Sequence, residues 1–353
     1  MNQKITLLSV VGARPQFIKL AAMHKAILQD GTIKHIIVHS GQHYDFDMSG
    51  QFFEELAIPE PDYNLEIGSG HHIIQMARCM TGLVDVFEKE KPDMVLVYGD
   101  TNTTAAAAIT ASKCNLKIAH IEAGLREWDK SIPEEVNKLL TDAVTDLYFT
   151  PTETGRQNLA KEGKTNQVYV TGDISMDLLY DLVDRTPSDM PGGDYVFMTC
   201  HRAANTDDPG NLKEVMSVVK QIKYKVIFAM HPRTRKAINI LDPNWAPDHV
   251  KIIDPPGFWD TQVYIKNAKF VLTDSGGIIK EAYFHKVPAI IIDKQTEWVE
   301  TVLEGWNTIA GPNSKKILQS ISKWRRPQVH TNCLGDGKAG QRIISEIINS
   351  FHV

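Results

Sequence analysis

Acidic and imidazole side chains recur in this chain directly after apolar, β-prone runs. Asp100 follows Met94-Val95-Leu96-Val97-Tyr98-Gly99, Glu122 follows Ile118-Ala119-His120-Ile121, and His201 follows Val196-Phe197-Met198-Thr199-Cys200. A carboxylate at a strand end can act as a base or orient a substrate hydroxyl; for Asp100 the alternative is a cap on a helix starting near Asn102. Burial disfavours an unpaired carboxylate where Glu122 stands, and Gly124 after it permits a turn. Glu134 and Glu135 follow Pro133, where the helix dipole alone also favours acids. His201 can donate to a phosphate or act as an acid, with Arg202 beside it. His231-Pro232-Arg233 repeats the pattern one unit later, Arg233 and Arg235 being equally readable as a solvated helix face. Arg14 has the planar fork that suits a phosphate, and Lys19 follows about one helical turn later.

A second kind of chemistry is written in Leu272-Thr273-Asp274-Ser275-Gly276-Gly277-Ile278-Ile279-Lys280-Glu281-Ala282. The spacing predicts a strand end, a tight turn and the first turn of a helix, with Ser275 as N-cap. The unpaired N–H groups and positive dipole end of a helix start suit an anion such as a diphosphate, and Gly276 and Gly277 let backbone approach it. Glu281, about one turn on, can accept ribose hydroxyls. Carboxylates in the first half and a diphosphate cradle in the second suit a nucleotide-sugar. A weakly acidic sugar C–H needs a positioned base, and a departing nucleoside diphosphate needs charge stabilisation from Arg14, His201 and the helix end.

The elements that must position these groups alternate. Strands are predicted at Ile5–Val11, His35–His39, Asp93–Tyr98 and Leu116–Ile121, with helices at 16–29, 71–90, 102–114 and 133–143. After a Pro/Gly/Asp-rich linker, Thr186–Asp194, strands follow at Tyr195–Thr199, Lys225–Met230, Val250–Ile253, Lys269–Thr273 and Val287–Ile292. Helices close the chain at 315–324 and 339–351. Apolar strands alternating with helices mean an α/β fold with parallel sheets covered on both faces and ligands at the strand carboxyl ends. Arg14, Gln42, His43, Asp100, Glu122, His201, His231 and Ser275 all fall there. Two doubly wound, Rossmann-like domains facing a cleft are expected: 1–172 with 337–353 on the sugar side, and 173–336 on the nucleotide side.

Composition narrows the classes. A length of 353 residues suits two domains, and 42% hydrophobic with 23% charged residues is ordinary for a globular protein. A net charge of −5 argues against nucleic acid as the main partner. No apolar run reaches the roughly 20 residues that span a bilayer. The four cysteines are scattered without a CxxC pair, and no Cys/His spacing suggests a metal. With no signal-peptide layout at the start, a reducing cytoplasm is the expected setting.

Gly12-Ala13-Arg14-Pro15-Gln16-Phe17-Ile18-Lys19, Gly41-Gln42-His43, Gly99-Asp100-Thr101, Glu122-Ala123-Gly124-Leu125-Arg126, Pro133-Glu134-Glu135, His201-Arg202 and Thr273-Asp274-Ser275-Gly276-Gly277 occur in this order. Together they resemble the non-hydrolysing UDP-N-acetylglucosamine 2-epimerase family over nearly the whole chain. Gln295-Thr296-Glu297-Trp298-Val299-Glu300 further resembles a subgroup that includes epimerases of UDP-2,3-diacetamido-2,3-dideoxyglucuronate. The resemblance implies a glycosyltransferase-B type fold whose last helix returns to the N-terminal domain. It implies interconversion of UDP-N-acetylglucosamine and UDP-N-acetylmannosamine through a 2-acetamidoglucal, with no metal or redox cofactor, in a homodimer. A hydrolysing epimerase that releases N-acetylmannosamine and UDP is the other alternative. By motif, Asp100, Glu122, Glu134 and His201 form the catalytic set and Arg14 and Lys19 face the phosphates. Ser275, Gly276 and Gly277 hold the diphosphate, and Glu281 the ribose. Pro256 and Phe258 lie near uracil, and Arg202 and His231 also contact the substrate. Domain closure is expected to hinge near 186–194.

Overall fold

Ile5–Val11 (β1), Met94–Tyr98 (β4) and Lys117–Ile121 (β5) are largely apolar runs, buried except at their starts in β1 and β5. Such runs form inner strands, because both faces of the sheet must be covered. The computed structural model describes residues 4–41, 52–181 and 193–352. Gln42, His43 and residues 186–192 of the expected linker lie outside the described residues. The chain divides into two units, Met1–Leu182 with Leu334–Val353, and Val183–Cys333.

In the first unit β1, Ile33–His39 (β2), Tyr63–Asn64 (β3), β4, β5, Leu147–Thr150 (β6) and Val168–Val170 (β7) form one sheet. Among the described residues it has seven strands in the order β3-β2-β1-β4-β5-β6-β7, with every pairing parallel. The order reverses between β1 and β4, the kind of switch point at which open α/β sheets bind ligands. Leu8, Val10, Val95 and Val97 share a core with Leu83, Val86 and Phe87 of the helix His72–Glu90 and with Ala106–Ala108. The small side chains of the helix Asn102–Lys113 allow that close packing.

The helix Arg14–Asp30 packs on β1 and β2 and carries the helices Ile174–Leu179 and Ala339–Asn349. The last helix thus belongs to the first unit. Its first turn is fixed by Asp177, whose carboxylate accepts from Ala339 N–H at 3.1 Å and Gly340 N–H at 2.8 Å. Burial pushes the Asp177 carboxyl up to about 6.

The second unit repeats the plan. Tyr195–Thr199 (β8), Lys225–Ala229 (β9), Val250–Ile253 (β10), Phe270–Thr273 (β11), Ala289–Ile291 (β12) and Asn307–Ile309 (β13) pair in parallel in the order β10-β9-β8-β11-β12-β13. Helices cover both faces, with Leu212, Val215 and Val219 on one and Tyr264, Ile265 and Ala282 on the other. The expectation of an α/β fold built on parallel sheets holds. β13 carries no sequence signal, being three residues long. Asn307 pins it, accepting from Ala289 N–H at 3.2 Å and donating to Thr301 Oγ1 at 2.9 Å. Among the described residues no helix is long and apolar enough to cross a membrane.

Candidate active site

In the first unit the chemistry sits on the ends of β4 and β5, which are hydrogen-bonded neighbours. Thr101, not Asp100, caps the following helix, accepting from Thr104 N–H at 3.2 Å. The capping alternative for Asp100 therefore falls. Its side chain keeps 32% of its surface exposed, and Lys138 Nζ stands 3.6 Å from Oδ2. Asn137 Nδ2 donates to the Asp100 carbonyl at 3.0 Å, fixing the turn. Lys138 is itself almost wholly buried, with Glu127 at 3.5 Å and Glu135 at 3.9 Å. Three acidic side chains, Asp100, Glu127 and Glu135, thus surround the one buried lysine.

Glu122 takes φ +75°, a left-handed backbone uncommon outside glycine. That strain marks functional turns. The Glu122 and Ala123 N–H groups both donate to the Phe149 carbonyl at 3.0 Å, which holds the bend. The Glu122 carboxylate is 10% exposed and pairs with Lys19. Lys19, expected beside phosphates, is thus engaged with a carboxylate. A Cβ on Gly99 would lie 3.2 Å from Glu122 Oε2 and 3.3 Å from Lys19 Nζ. Only glycine at 99, at φ +63°, lets the Asp100 turn pass so close to that pair.

A buried relay lies beneath both turns. His120 Nε2 donates to the Gly99 carbonyl at 2.8 Å, and Nδ1 meets Asp142 Oδ1 at 2.6 Å. Asp142 also accepts from Arg126 Nη2 at 2.7 Å and from Gly124 N–H at 3.2 Å, and Arg126 continues to Glu162 at 2.7 Å. Burial alone would raise the Asp142 carboxyl, but His120 and Arg126 outweigh it and hold it below its ordinary value. From the other side Gln16 ties β1 to β4, accepting from Gly12 N–H at 2.8 Å and donating to the Tyr98 carbonyl at 3.0 Å.

Glu134 is exposed in the first turn of the helix Pro133–Val144. It shares a helix face with Lys138, one turn on. Its neighbour Glu135 is 1% exposed and structural, accepting from Glu127 N–H at 2.9 Å and Trp128 N–H at 3.1 Å. The Arg14 guanidinium lies 4.2 Å over the Phe52 ring, and burial lowers its pKa.

In the second unit Asp274 is the organising residue. It is 1% exposed and accepts from His201 N–H, Arg202 N–H and Asn205 Nδ2 at 2.9–3.0 Å. The His201 ring turns Nδ1 towards Asp274 at 3.3 Å, and its side chain is 42% exposed. Arg202 Nη1 donates to Asp293 at 2.9 Å. Ser275 caps the helix Gly276–Phe284, and Gly277 at its start is exposed, so N–H groups there are open to an anion. Glu281 is buried one turn later, on the Gly277 side.

His231 Nδ1 accepts from Arg233 N–H at 3.2 Å, so the ring caps the helix Pro232–Leu241. Arg233 and Arg235 pair with Asp207 and Asp254 on the surface. Pro256 is half-buried, whereas Phe258 is 4% exposed and packs edge-on to Trp259. That leaves the Phe258 ring little surface for a base.

The family model described as UDP-N-acetylglucosamine 2-epimerase matches residues 25–348. The chain belongs to the UDP-N-acetylglucosamine 2-epimerase family. That family is one of isomerases, so the expectation of an enzyme holds. Among curated relatives, a UDP-N-acetylglucosamine 2-epimerase homolog of Methanococcus maripaludis is 43% identical, covering 97% of this chain and 99% of the relative. A UDP-2,3-diacetamido-2,3-dideoxy-D-glucuronate 2-epimerase of Pseudomonas aeruginosa is 41% identical over 96% of this chain and 98% of the relative. The crystal structure of a Methanocaldococcus jannaschii UDP-GlcNAc 2-epimerase, in complex with UDP-GlcNAc and UDP, superposes with TM-score 0.88 at 36% identity, covering 98% and 100% of the two chains.

Lys138, His120 and Asp142 were not candidates from the sequence of this epimerase-family chain, and Asp274 stood there only within the Thr273–Gly277 motif. Two of them left signals. His120 is a polar residue inside a buried strand, and Lys138 stands one helical turn after Glu134.

Proposed function

We propose that the protein interconverts UDP-N-acetylglucosamine and UDP-N-acetylmannosamine. The C2–H bond breaks with its proton going to a carboxylate, C1–O breaks with UDP as leaving group, and a C1=C2 double bond forms in a 2-acetamidoglucal. Return of UDP to C1 and of a proton to the opposite face of C2 completes the inversion. The observation that carries this reading is the pair of carboxylates on adjoining strand ends, Asp100 and Glu122, each beside its own buried ammonium. Proton transfer to and from the two faces of C2 needs two placed carboxyl groups. An ammonium beside each keeps it ionised until it acts.

Glu134, on the Lys138 face of its helix, completes the acidic set. In the second unit His201 and the helix start at Ser275, Gly276 and Gly277 stabilise the departing diphosphate. Arg202 supports that site, Glu281 receives the ribose, and the Pro256 loop takes the base. A homodimer and a cytoplasmic setting belong to the same proposal; sedimentation velocity checks the first.

A second reading, epimerisation of UDP-2,3-diacetamido-2,3-dideoxyglucuronate, is favoured by the 41% identical relative. Incubation with UDP-N-acetylglucosamine in deuterated water, followed by proton NMR, separates the two. Deuterium at C2 together with UDP-N-acetylmannosamine is the expected result. UDP binding without exchange moves the assignment to the diacetamido-glucuronate, tested in the same way. Free N-acetylmannosamine accumulating with UDP would instead mean hydrolysis.

A further inference from the structure

The start of the helix Gly276–Phe284 is overlooked by a donor that the sequence gave no reason to place there. Trp298 is 1% exposed, and its indole Nε1 is buried without a hydrogen-bond partner. The rest of the residue is satisfied. Its backbone N–H donates to Thr296 Oγ1 at 3.2 Å, and its carbonyl accepts from Thr301 Oγ1 at 2.7 Å. Lys280 Nζ lies 4.4 Å above the ring, so the indole is clamped from the backbone and from one face. An orphaned buried N–H is costly, and native proteins keep few of them.

The direction of that N–H is the informative part. A Cβ built on Gly276 would stand 3.4 Å from Trp298 Nε1, 3.8 Å from Glu297 Oε1 and 4.0 Å from Arg202 Nη2. The indole edge and a guanidinium therefore converge over the first residue of a nine-residue helix. With the Glu297 carboxylate set against them at the same place, a neutral donor and a cation beside a helix start still suit an oxygen-rich anion.

We propose that the Trp298 indole N–H donates to a diphosphate oxygen of the bound nucleoside diphosphate, making Trp298 an affinity-determining residue of the cradle. This rests on the assignment of that cradle to UDP under Proposed function. Removing the N–H while keeping a ring that packs, as in Trp298→Phe, is expected to weaken UDP binding about tenfold, the scale of one hydrogen bond to a charged acceptor. Uridine, which lacks the diphosphate, should bind both proteins alike.

A measurement on the wild type guards against a variant that folds poorly. Of the six tryptophan indole signals in a nitrogen-15 spectrum of the full chain, the one missing from Trp298→Phe is expected to move downfield with UDP and to stay still with uridine. Equal UDP affinity in the two proteins, or a Trp298 signal indifferent to saturating UDP, overturns the inference while leaving the UDP site in place. A wild type that binds no UDP overturns the site assignment and this inference together.

Discussion

The two units end their strands in loops of the same kind and hold the side chains there by different means. In the first unit the fixing is done by charged side chains: Lys19 on Glu122, Lys138 beside Asp100, and His120, Asp142 and Arg126 beneath both turns. In the second unit backbone N–H groups share the fixing with side-chain pairs such as Arg202 on Asp293. Asp274 gathers the N–H groups of the His201-Arg202 turn, and Ser275 caps the helix beside it. The division follows the chemistry each is proposed to serve. Groups that exchange protons need partners that set their charge, and side chains supply those. A cradle for a permanent anion needs fixed dipoles, and backbone supplies those without titrating.

The largest effect should come from the side-chain-held unit. Asp100→Asn is expected to lower kcat about 10³-fold while UDP binding, measured by calorimetry, stays near the wild-type value. A parallel loss of binding would mean that the two units do not divide the work. Next, Asp142→Asn leaves the buried Arg126 and His120 without their shared anion, at about 3–4 kcal/mol of stability in urea unfolding. A cost below about 1 kcal/mol, the value of a surface pair, would demote the relay. Asp274→Asn tests the other side of the comparison. It turns an acceptor of several N–H groups into a partial donor, and UDP affinity is expected to fall tenfold to a hundredfold, about 1.4–2.8 kcal/mol. Turnover falling with affinity intact would move Asp274 into the proton chemistry.

The smallest expected effect concerns the return of the last helix. The Asp177 carboxyl has a pKa of about 6 in the fold against an ordinary 3.8, so the folded state binds this proton more tightly than the unfolded one. Between those values its contribution to stability should decline as pH rises, by about 1–2 kcal/mol after allowance for partial exposure. Asp177→Asn keeps an acceptor for the Gly340 N–H and should flatten that slope between about pH 4 and about pH 6. A slope unchanged in urea melts would assign it to other carboxylates.

Much of this was legible before any fold was seen. Apolar runs located the long strands, and glycine, proline and N-cap residues located the turns, because those signals depend only on neighbours in sequence. Their alternation fixed a parallel α/β plan and hence the strand ends as the place for ligands. The motifs fixed the family, and with it Asp100, Glu122, Glu134, His201 and the Ser275 turn as candidates. Short elements such as Asn307–Ile309 were not legible, since three residues carry no period.

What only the tertiary structure decided is which group restrains which. That Lys19 faces Glu122 rather than solvent, that His120 reaches both Gly99 and Asp142, and that the Trp298 N–H overlooks Gly276 all depend on strand order and close packing. The sequence by itself determined the kinds of group at each strand end. Charge and hydrogen-bond satisfaction act over a few ångströms in space, whereas sequence patterns act over a few residues, and burial makes the first decisive.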